Sequence, residues 1–323
     1  MKISRSLFLS LCLATTAYAG TGRDFSTVSS ASTAAATESV IPFEFDVEYA
    51  HMGDGSVERG FRHVEFDENY YAARFIYRPR TPIGYLRLGV AYERFDFGVP
   101  DFIFATPGPT GFFFGRTQVP ETLQSVSAVV GLDTKFSDSL LFRIEAQPGY
   151  YGTNHLGSET FNVPVVIGGT YLYSENLQFI FGVSVNYERK YPVLPGGGVR
   201  WRFAPQWVLN AAVPTPRLEY EATRNFTIYA GADLKGSTFR VDNDFGTSGG
   251  LLSRRDARLN RAVLTYSEVR TGLGVDWKLT PDIKFSLEGG YVPYREFDFH
   301  RADVRYKNDK GAPYGAVALR AAF

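Results

Sequence analysis

The chain has 323 residues, with 34 Lys+Arg against 34 Asp+Glu, and it is 44% hydrophobic and 15% aromatic with 32 Gly and 2 Met. Balanced charge excludes a nucleic-acid binder that works by a basic excess. Beyond the N-terminus no run approaches ~18 uninterrupted apolar residues, which excludes a bundle of transmembrane helices. Aromatic strand formers and glycine in place of helix formers predict an all-β protein.

Residues 1–19 have the layout of a cleavable export signal. Lys2 and Arg5 form a positive start, an apolar run follows from Leu7 to Ala14, and Ala17-Tyr18-Ala19 is a small-x-small cleavage pattern before Gly20. The single cysteine, Cys12, falls inside this segment, and Leu11 before it is too large for a lipoprotein processing site, so the mature chain is expected to hold together without disulfides. Loss of Lys2 and Arg5 leaves 32 basic against 34 acidic residues, a net charge of −2. Residues 20–39 are Ser, Thr and Ala with little to bury, and are expected to be a flexible periplasmic lead-in.

From residue 40 to the end one pattern recurs. Ile41, Phe43, Phe45, Val47 and Tyr49 are apolar, and Glu44, Asp46 and Glu48 lie between them. A period of two puts the two sets on opposite faces of one strand. The same alternation appears in Leu86 to Glu93, Leu140 to Gln147, Leu177 to Asn186, Phe226 to Lys235, Val269 to Lys278 and Ile283 to Glu288. Tight connections at 80–82, 137–139, 174–176, 204–206, 223–225 and 280–282 take turns with long ones at about 53–67, 98–119, 152–159, 189–195, 242–259 and 301–311. Outer-membrane barrels show this asymmetry of short periplasmic turns and long extracellular loops. The expected fold is therefore a closed antiparallel transmembrane β-barrel over 40–323 of about fourteen strands, with both mature termini periplasmic. Pro214 and Pro216 interrupt the stretch 207–222. Read as a tight outer connection they keep the count at fourteen, and twelve is the alternative.

Aromatic residues flank many of the tight turns: Tyr77 and Tyr85, Phe136, Tyr171 and Tyr173, Trp201, Phe203 and Trp207, Tyr220 and Phe226, Trp277 and Phe285. Such a set is the girdle expected at a membrane interface. The last strand, 317–323, ends on Phe323 and resembles the C-terminal signal by which outer-membrane barrels are recognised by the insertion machinery.

The stretch with Pro192, Leu194-Pro195, Gly198, Trp201, Trp207, Pro214, Pro216 and Tyr220, together with Tyr291 to Arg295 and the terminal strand, resembles the outer-membrane β-barrel proteins grouped as domain of unknown function 6268. The resemblance implies location and fold, with no substrate and no functional residues to carry over.

Candidate chemistry is sparse, and no cofactor is implied. His51, His63, His155 and His300 all fall in or beside predicted outer loops without ligand-like spacing. Asn154-His155 with Ser158, His51 with Asp54, or His300 with Asp303 would be the starting points of a barrel hydrolase, lipase or protease. The lumen is more informative. Glu44, Asp46, Glu48, Arg74, Arg78 and Arg320 should face inward as a charge network, and closure should bring Arg320 near Glu44. Mixed signs argue against a strongly selective pore, where one sign dominates the constriction. Fourteen strands leave more interior than side chains readily fill, so an open channel or a plugging loop is expected. The loop 98–119, with Phe102, Phe104, Phe112, Phe113 and Phe114, is the candidate plug or apolar loop site. The sequence thus reads as an outer-membrane channel or small-molecule transporter in contact with lipid and lipopolysaccharide, with a hydrolase or a non-conducting structural or adhesive barrel as alternatives.

Overall fold

The computed structural model describes residues 43–60, 62–99, 102–108, 111–116, 118–247 and 256–323, with only the backbone at 62 and 102–116. The expected signal segment 1–19 and lead-in 20–39 lie outside the described residues. Fourteen strands form the wall: β1 (Phe43–Arg59), β2 (Arg62–Tyr77), β3 (Gly84–Phe97), β4 (Thr122–Ser137), β5 (Leu140–Ala146), β6 (Val165–Ser174), β7 (Leu177–Val185), β8 (Val193–Ala204), β9 (Trp207–Asn210), β10 (Arg217–Glu221), β11 (Phe226–Lys235), β12 (Val263–Lys278), β13 (Ile283–Phe299) and β14 (Ala312–Ala322). Each pairs antiparallel with the next. The circle closes between β14 and β1, from Glu44 opposite Ala322 to Met52 opposite Tyr314. Among the described residues no edge strand of the wall is left with unpaired amides, which is what a sheet surrounded by lipid requires.

The expected count of fourteen holds, and the proline pair explains how. Between β9 and β10 the Val213-Pro214 peptide is cis. Ala211 and Val213 still donate to Val199 and Gly197 of β8, while Leu234 and Ala232 of β11 donate to the Pro214 and Pro216 carbonyls. The prolines sit where the wall needs acceptors, so their missing N–H leaves no gap.

One expected connection is replaced by strand. Residues 53–67 are not a long loop: β1 and β2 run on to Arg59 and from Arg62, across a bulge between Met52 and Gly55, and turn at Gly60 with a positive φ of 63°. The 301–311 stretch likewise contains a strand, Val304–Lys310, that pairs with β13 and β1. The charged outer positions of these extensions, Asp54, Glu58, His63 and Glu65, are what gave them the look of loops.

The reason for the extensions lies in an inversion of the pattern. Low on β1 the outward residues are Phe45, Val47 and Tyr49, and the inward ones are Glu44, Asp46 and Glu48; past Tyr49 the outward residue is His51 and the inward ones are Ala50, Met52 and Val57, all fully buried. β2 does the same. Tyr77, Phe75 and Tyr71 face out below, Asn69, Glu65 and His63 face out above, and Arg74 facing in gives way to Phe66 and Val64. On β12 outward Trp277 and Leu273 yield to Thr271, Ser267 and Thr265, and inward Asp276 yields to Tyr266 and Leu264. The lower barrel has an apolar outside and charged inside, as lipid demands. The upper barrel has a polar outside and apolar inside, as water demands.

The upper barrel is also narrower. Above the membrane band, Thr238–Arg240 pairs with β12 on one side and, through Arg240 and Gly152, in parallel with Gly149–Gly152 on the other. Gly149–Gly152 pairs in turn with β4. This bridge skips β6 to β10 and closes a smaller ring of nine segments: β1, β2, β3, β4, Gly149–Gly152, Thr238–Arg240, β12, β13 and Val304–Lys310. A ring of about eight strands is one that side chains can fill.

Candidate functional site: the lumen

The lower lumen is a wall of paired charges. Glu44 accepts from Arg78 at 2.8 Å and Arg87 at 3.1 Å. Glu145 on β5 meets both Arg74 of β2 and Arg87 of β3, the latter at 2.8 Å. Asp133 receives Arg143 at 2.5 Å and Arg78 at 3.2 Å. On the other flank Glu48 of β1 lies 3.2 Å from Lys235 of β11 and 3.3 Å from Arg270 of β12. Strands three and four apart around the ring are therefore tied through the interior, so the pairs reach across it as well as along its wall.

Each of the six expected lumen charges, Glu44, Asp46, Glu48, Arg74, Arg78 and Arg320, is held in an ion pair. One pairing differs from expectation. Arg320 meets Asp46, its register partner, at 3.3 Å, whereas Glu44 stands opposite Ala322 and is taken by Arg78 and Arg87. Closure alone fixes neighbouring strands; the register sets the partner, and here it is two residues on.

Above these charges a phenol organises the transition to the apolar core. Tyr266 Oη lies 2.8 Å from Glu68 and 3.0 Å from Glu268. Arg295 Nε lies 3.3 Å from both carboxylates, and Arg270 Nε donates to Glu268 at 2.5 Å. The other side of the Tyr266 ring packs at 5.0 Å on Phe95, 5.3 Å on Phe97 and 4.8 Å on Phe297. Phe66 meets Phe97 and Phe297 edge-on. Rings from β2, β3, β12 and β13 thus meet in the centre, and the upper end of the lumen is filled by the strands themselves.

The sequence led to the expectation of an open channel or a plugging loop; the plug is built instead from the strands of the wall. The signal was present in Phe66, Phe95, Phe97 and Phe297, which have charged neighbours in the opposite phase from the lower strands, and in Tyr266 between Thr265 and Ser267. The expected plugging loop forms a separate two-stranded hairpin, Phe102–Gly108 with Gly111–Arg116. The side chains of Phe102, Phe104, Phe112, Phe113 and Phe114 lie outside the described residues.

Beneath the plug a cavity of ≈ 30 Å³ is lined by Glu48, Arg217, Tyr229, Arg270, Glu288 and Tyr314 among others. That is space for about two waters. Glu288 accepts from Tyr229 at 2.7 Å and from Tyr314 on its other oxygen. The mouth at the end of the short connections is wetter: Arg200, Arg202, Glu221, Lys284 and Arg320 keep a quarter to a third of their side-chain surface exposed.

The histidines do not converge. His51 lies 3.1 Å from Asn69 on the outer surface. His63 stands 3.0 Å from Asp309, whose same oxygen accepts from Ser56 at 3.1 Å. There the carboxylate lies between the hydroxyl and the ring; nucleophilic catalysis needs the ring against the hydroxyl. His155 is 3.6 Å from Asp242, at a largely exposed position. His300 is half-buried in the turn after β13, and burial pushes its imidazole below the usual value. Nearby on the outer end, the Arg258 hydrogen bond holds Asp256 below the usual carboxylate range. Among the described residues no group of three or more His, Cys, Asp or Glu side chains is arranged to hold a metal ion.

Outside the wall, aromatic rings form the band expected from the turns. Tyr77, Tyr85, Phe136, Tyr171, Tyr173, Trp201, Phe203, Trp207 and Trp277 are exposed near the short connections. Tyr49 and Tyr71 pair at 5.2 Å where the outer face turns polar. A closed barrel with an apolar outer belt bounded by rings is a membrane-spanning structure. Residues 147–319, more than half of the chain, match the family model described as Domain of unknown function (DUF6268).

The chain belongs to this family.

No curated protein sequence matches it. Among solved structures it is similar to the KdgM porin in complex with disordered oligogalacturonate, at 10% identity over 86% of this chain and 99% of that one, with a TM-score of 0.34. The Pseudomonas putida toluene transporter TodX is 10% identical over 89% and 90%, with a TM-score of 0.36. The translocator domain of autotransporter NalP from Neisseria meningitidis is 12% identical over 93% and 94%, with a TM-score of 0.37. The DUF6268 chain is an outer-membrane β-barrel on the strength of its own closed wall and outer belt.

Proposed function

We propose that this barrel is a passive outer-membrane channel or transporter for a small polar solute, closed in the state described. The observation that carries the proposal is the ionised lower lumen. A barrel that only needed filling would be as stable, or more so, with apolar side chains there, because buried ion pairs seldom outweigh their desolvation. A wall of charges with a part-exposed periplasmic mouth suits a path for water and polar solute. The aromatic plug is then its outer barrier. In this reading the first 19 residues direct export and are removed, both ends of the mature barrel face the periplasm, the belt sits among lipid and lipopolysaccharide, and the strand ending at Phe323 is read by the insertion machinery. The role is transport, not catalysis.

Planar-bilayer recording tests it. Purified full chain should give discrete current steps, and Phe97→Ala with Phe297→Ala should make them larger or longer. Folding is verified by a shift between unheated and boiled protein on a detergent gel. Folded protein and folded variant that both fail to conduct would end the channel reading. A non-conducting barrel is the second reading, favoured by the filled midsection, where Arg87, Arg270 and Arg295 are each 1% exposed; it predicts that silence.

A further inference from the structure

Above the β6–β10 sector the described residues place one short strand, Phe161–Asn162, which pairs with Gly149–Gly152 of the nine-segment ring. β6 to β10 end low; β9 has 4 residues and β10 has 5, against 17 in β1 and in β13. The wall of this sector stops at the Pro214 and Pro216 connection, while its neighbours continue upward and join each other at Arg240 and Gly152. The plug fills the tall ring, and something else must roof the low sector.

The turn between β7 and β8, residues 186–192, does so. Its side chains divide into two sets. Tyr187, Lys190 and Tyr191 are exposed, whereas Asn186, Glu188 and Arg189 are buried. Asn186 accepts from Asn162, beside β6, at 3.1 Å, and its amide closes the turn on Pro192. Arg189 Nη2 reaches back to the carbonyl and hydroxyl of Ser184, each at 3.0 Å. Glu188 reaches the far side of the sector: Oε1 meets Arg240 Nη2 at 2.5 Å, and Oε2 meets Arg301 Nη1 at 3.1 Å. One carboxylate thus joins three separate connections: the β7–β8 turn, the segment above β11 and the turn after β13.

We propose that residues 186–192 are a strap over the outer exit of the β6–β10 sector, and that Glu188 is its latch on Arg240 and Arg301. The proposal rests on the channel reading of this lumen. A strap held by ladder hydrogen bonds would move only with its sheet. This one is tied down at its tip by two ion pairs and anchored at its base by Arg189, so it can swing about its base once the tip is freed. Beneath it the inner wall carries Ser184, Ile180 and the in-register pair Gly168 and Gly182, a smoother face than the ionised wall opposite. The strap therefore lies over the end of β6 and β7, whose strands carry no charged side chain, while Arg200, Arg202 and Arg217 stand on β8 and β10.

Two readouts test it with the exported protein expressed from its full-length sequence. Trypsin added to intact cells cannot cross the outer membrane and reaches only outward-facing bonds. In the native strap the bond between Arg189 and Lys190 should be cut slowly. Glu188→Gln keeps the shape and removes the charge, and should raise the rate of that cut by about tenfold, since local opening exposes the bond. Arg301→Gln, at a largely exposed residue that will not disturb folding, should act in the same direction. Glu188→Arg combined with Arg240→Glu and Arg301→Glu should restore protection. In planar bilayers the same single variants should open longer than the native protein. Unchanged cleavage in both Glu188→Gln and Arg301→Gln overturns the strap, as does longer opening without faster cleavage. Faster cleavage with no current in any variant leaves the strap standing and overturns the channel reading.

Discussion

The lower and upper halves of the same strands obey opposite rules. On β2, Tyr71, Phe75 and Tyr77 face outward and Arg74 inward, while a few residues earlier His63, Glu65 and Asn69 face outward and Val64 and Phe66 inward. No break in the strand separates the two; what changes is the solvent on the outside. Where acyl tails touch the wall, polar groups can be placed only inward, and they satisfy one another across the lumen. Where water touches the wall, the inner face is free to be apolar, and the narrowed ring lets rings from opposite strands meet. The membrane thus forces charge into the lower interior, and its absence permits a hydrophobic core above.

Breaking either half should show which rule governs it. The largest effect is expected inside the upper ring. Phe297→Ala removes a fully buried ring at the centre of the plug and should cost about 3–5 kcal/mol in urea unfolding. Next comes a charge on the lower outer face. Val90 is 60% exposed there, and Val90→Arg should cost about 2–4 kcal/mol in a lipid bilayer. Asn69→Arg, an outward position on the upper half, should be within about 0.5 kcal/mol of native; a penalty equal to that of Val90→Arg would remove the distinction between the halves. A smaller loss, about 0.2–1 kcal/mol, is expected for Arg320→Ala, because its pair with Asp46 is a third exposed and well screened.

Acid should affect the outer end. Burial favours neutral His300, so its folded value lies below the ordinary 6.5. The folded state then binds fewer protons than the unfolded one between those two values, and stability falls as pH drops below 6.5. His300→Gln should flatten that part of the stability–pH curve without altering the slope at higher pH.

Much of the fold was legible because lipid enforces strict alternation. Phe43 to Tyr49, Leu177 to Val185 and Phe226 to Leu234 each follow a period of two, and the proline pair lies in a connection between two wall strands, as expected. The lumen charges were legible for the same reason. The plug was hidden because Glu65-Phe66-Asp67 fell in an expected loop, and Arg295-Glu296-Phe297-Asp298 shows no apolar alternation when only the lipid-facing phase is sought. The same residues in the opposite phase are ordinary water-exposed strand. The bulge between Met52 and Gly55 obscured the pattern further. Cross-lumen pairings such as Lys235 with Glu48 could not be read at all, since they depend on how the closed wall brings distant strands together. The strap was out of reach for that reason too: residues 188, 240 and 301 share no pattern along the chain.

The inversion can be measured directly by placing a spin label at each position from 63 to 77 on β2 in a lipid bilayer and recording its collisions with oxygen, which concentrates in lipid, and with a nickel chelate, which stays in water. Positions 71, 73, 75 and 77 should meet oxygen, positions 63, 65, 67 and 69 the chelate, and positions 64, 66 and 70 neither. Oxygen contact persisting through 65, or free access of the chelate to 66 and 70, would contradict a wall that changes its inside and outside partway along one strand.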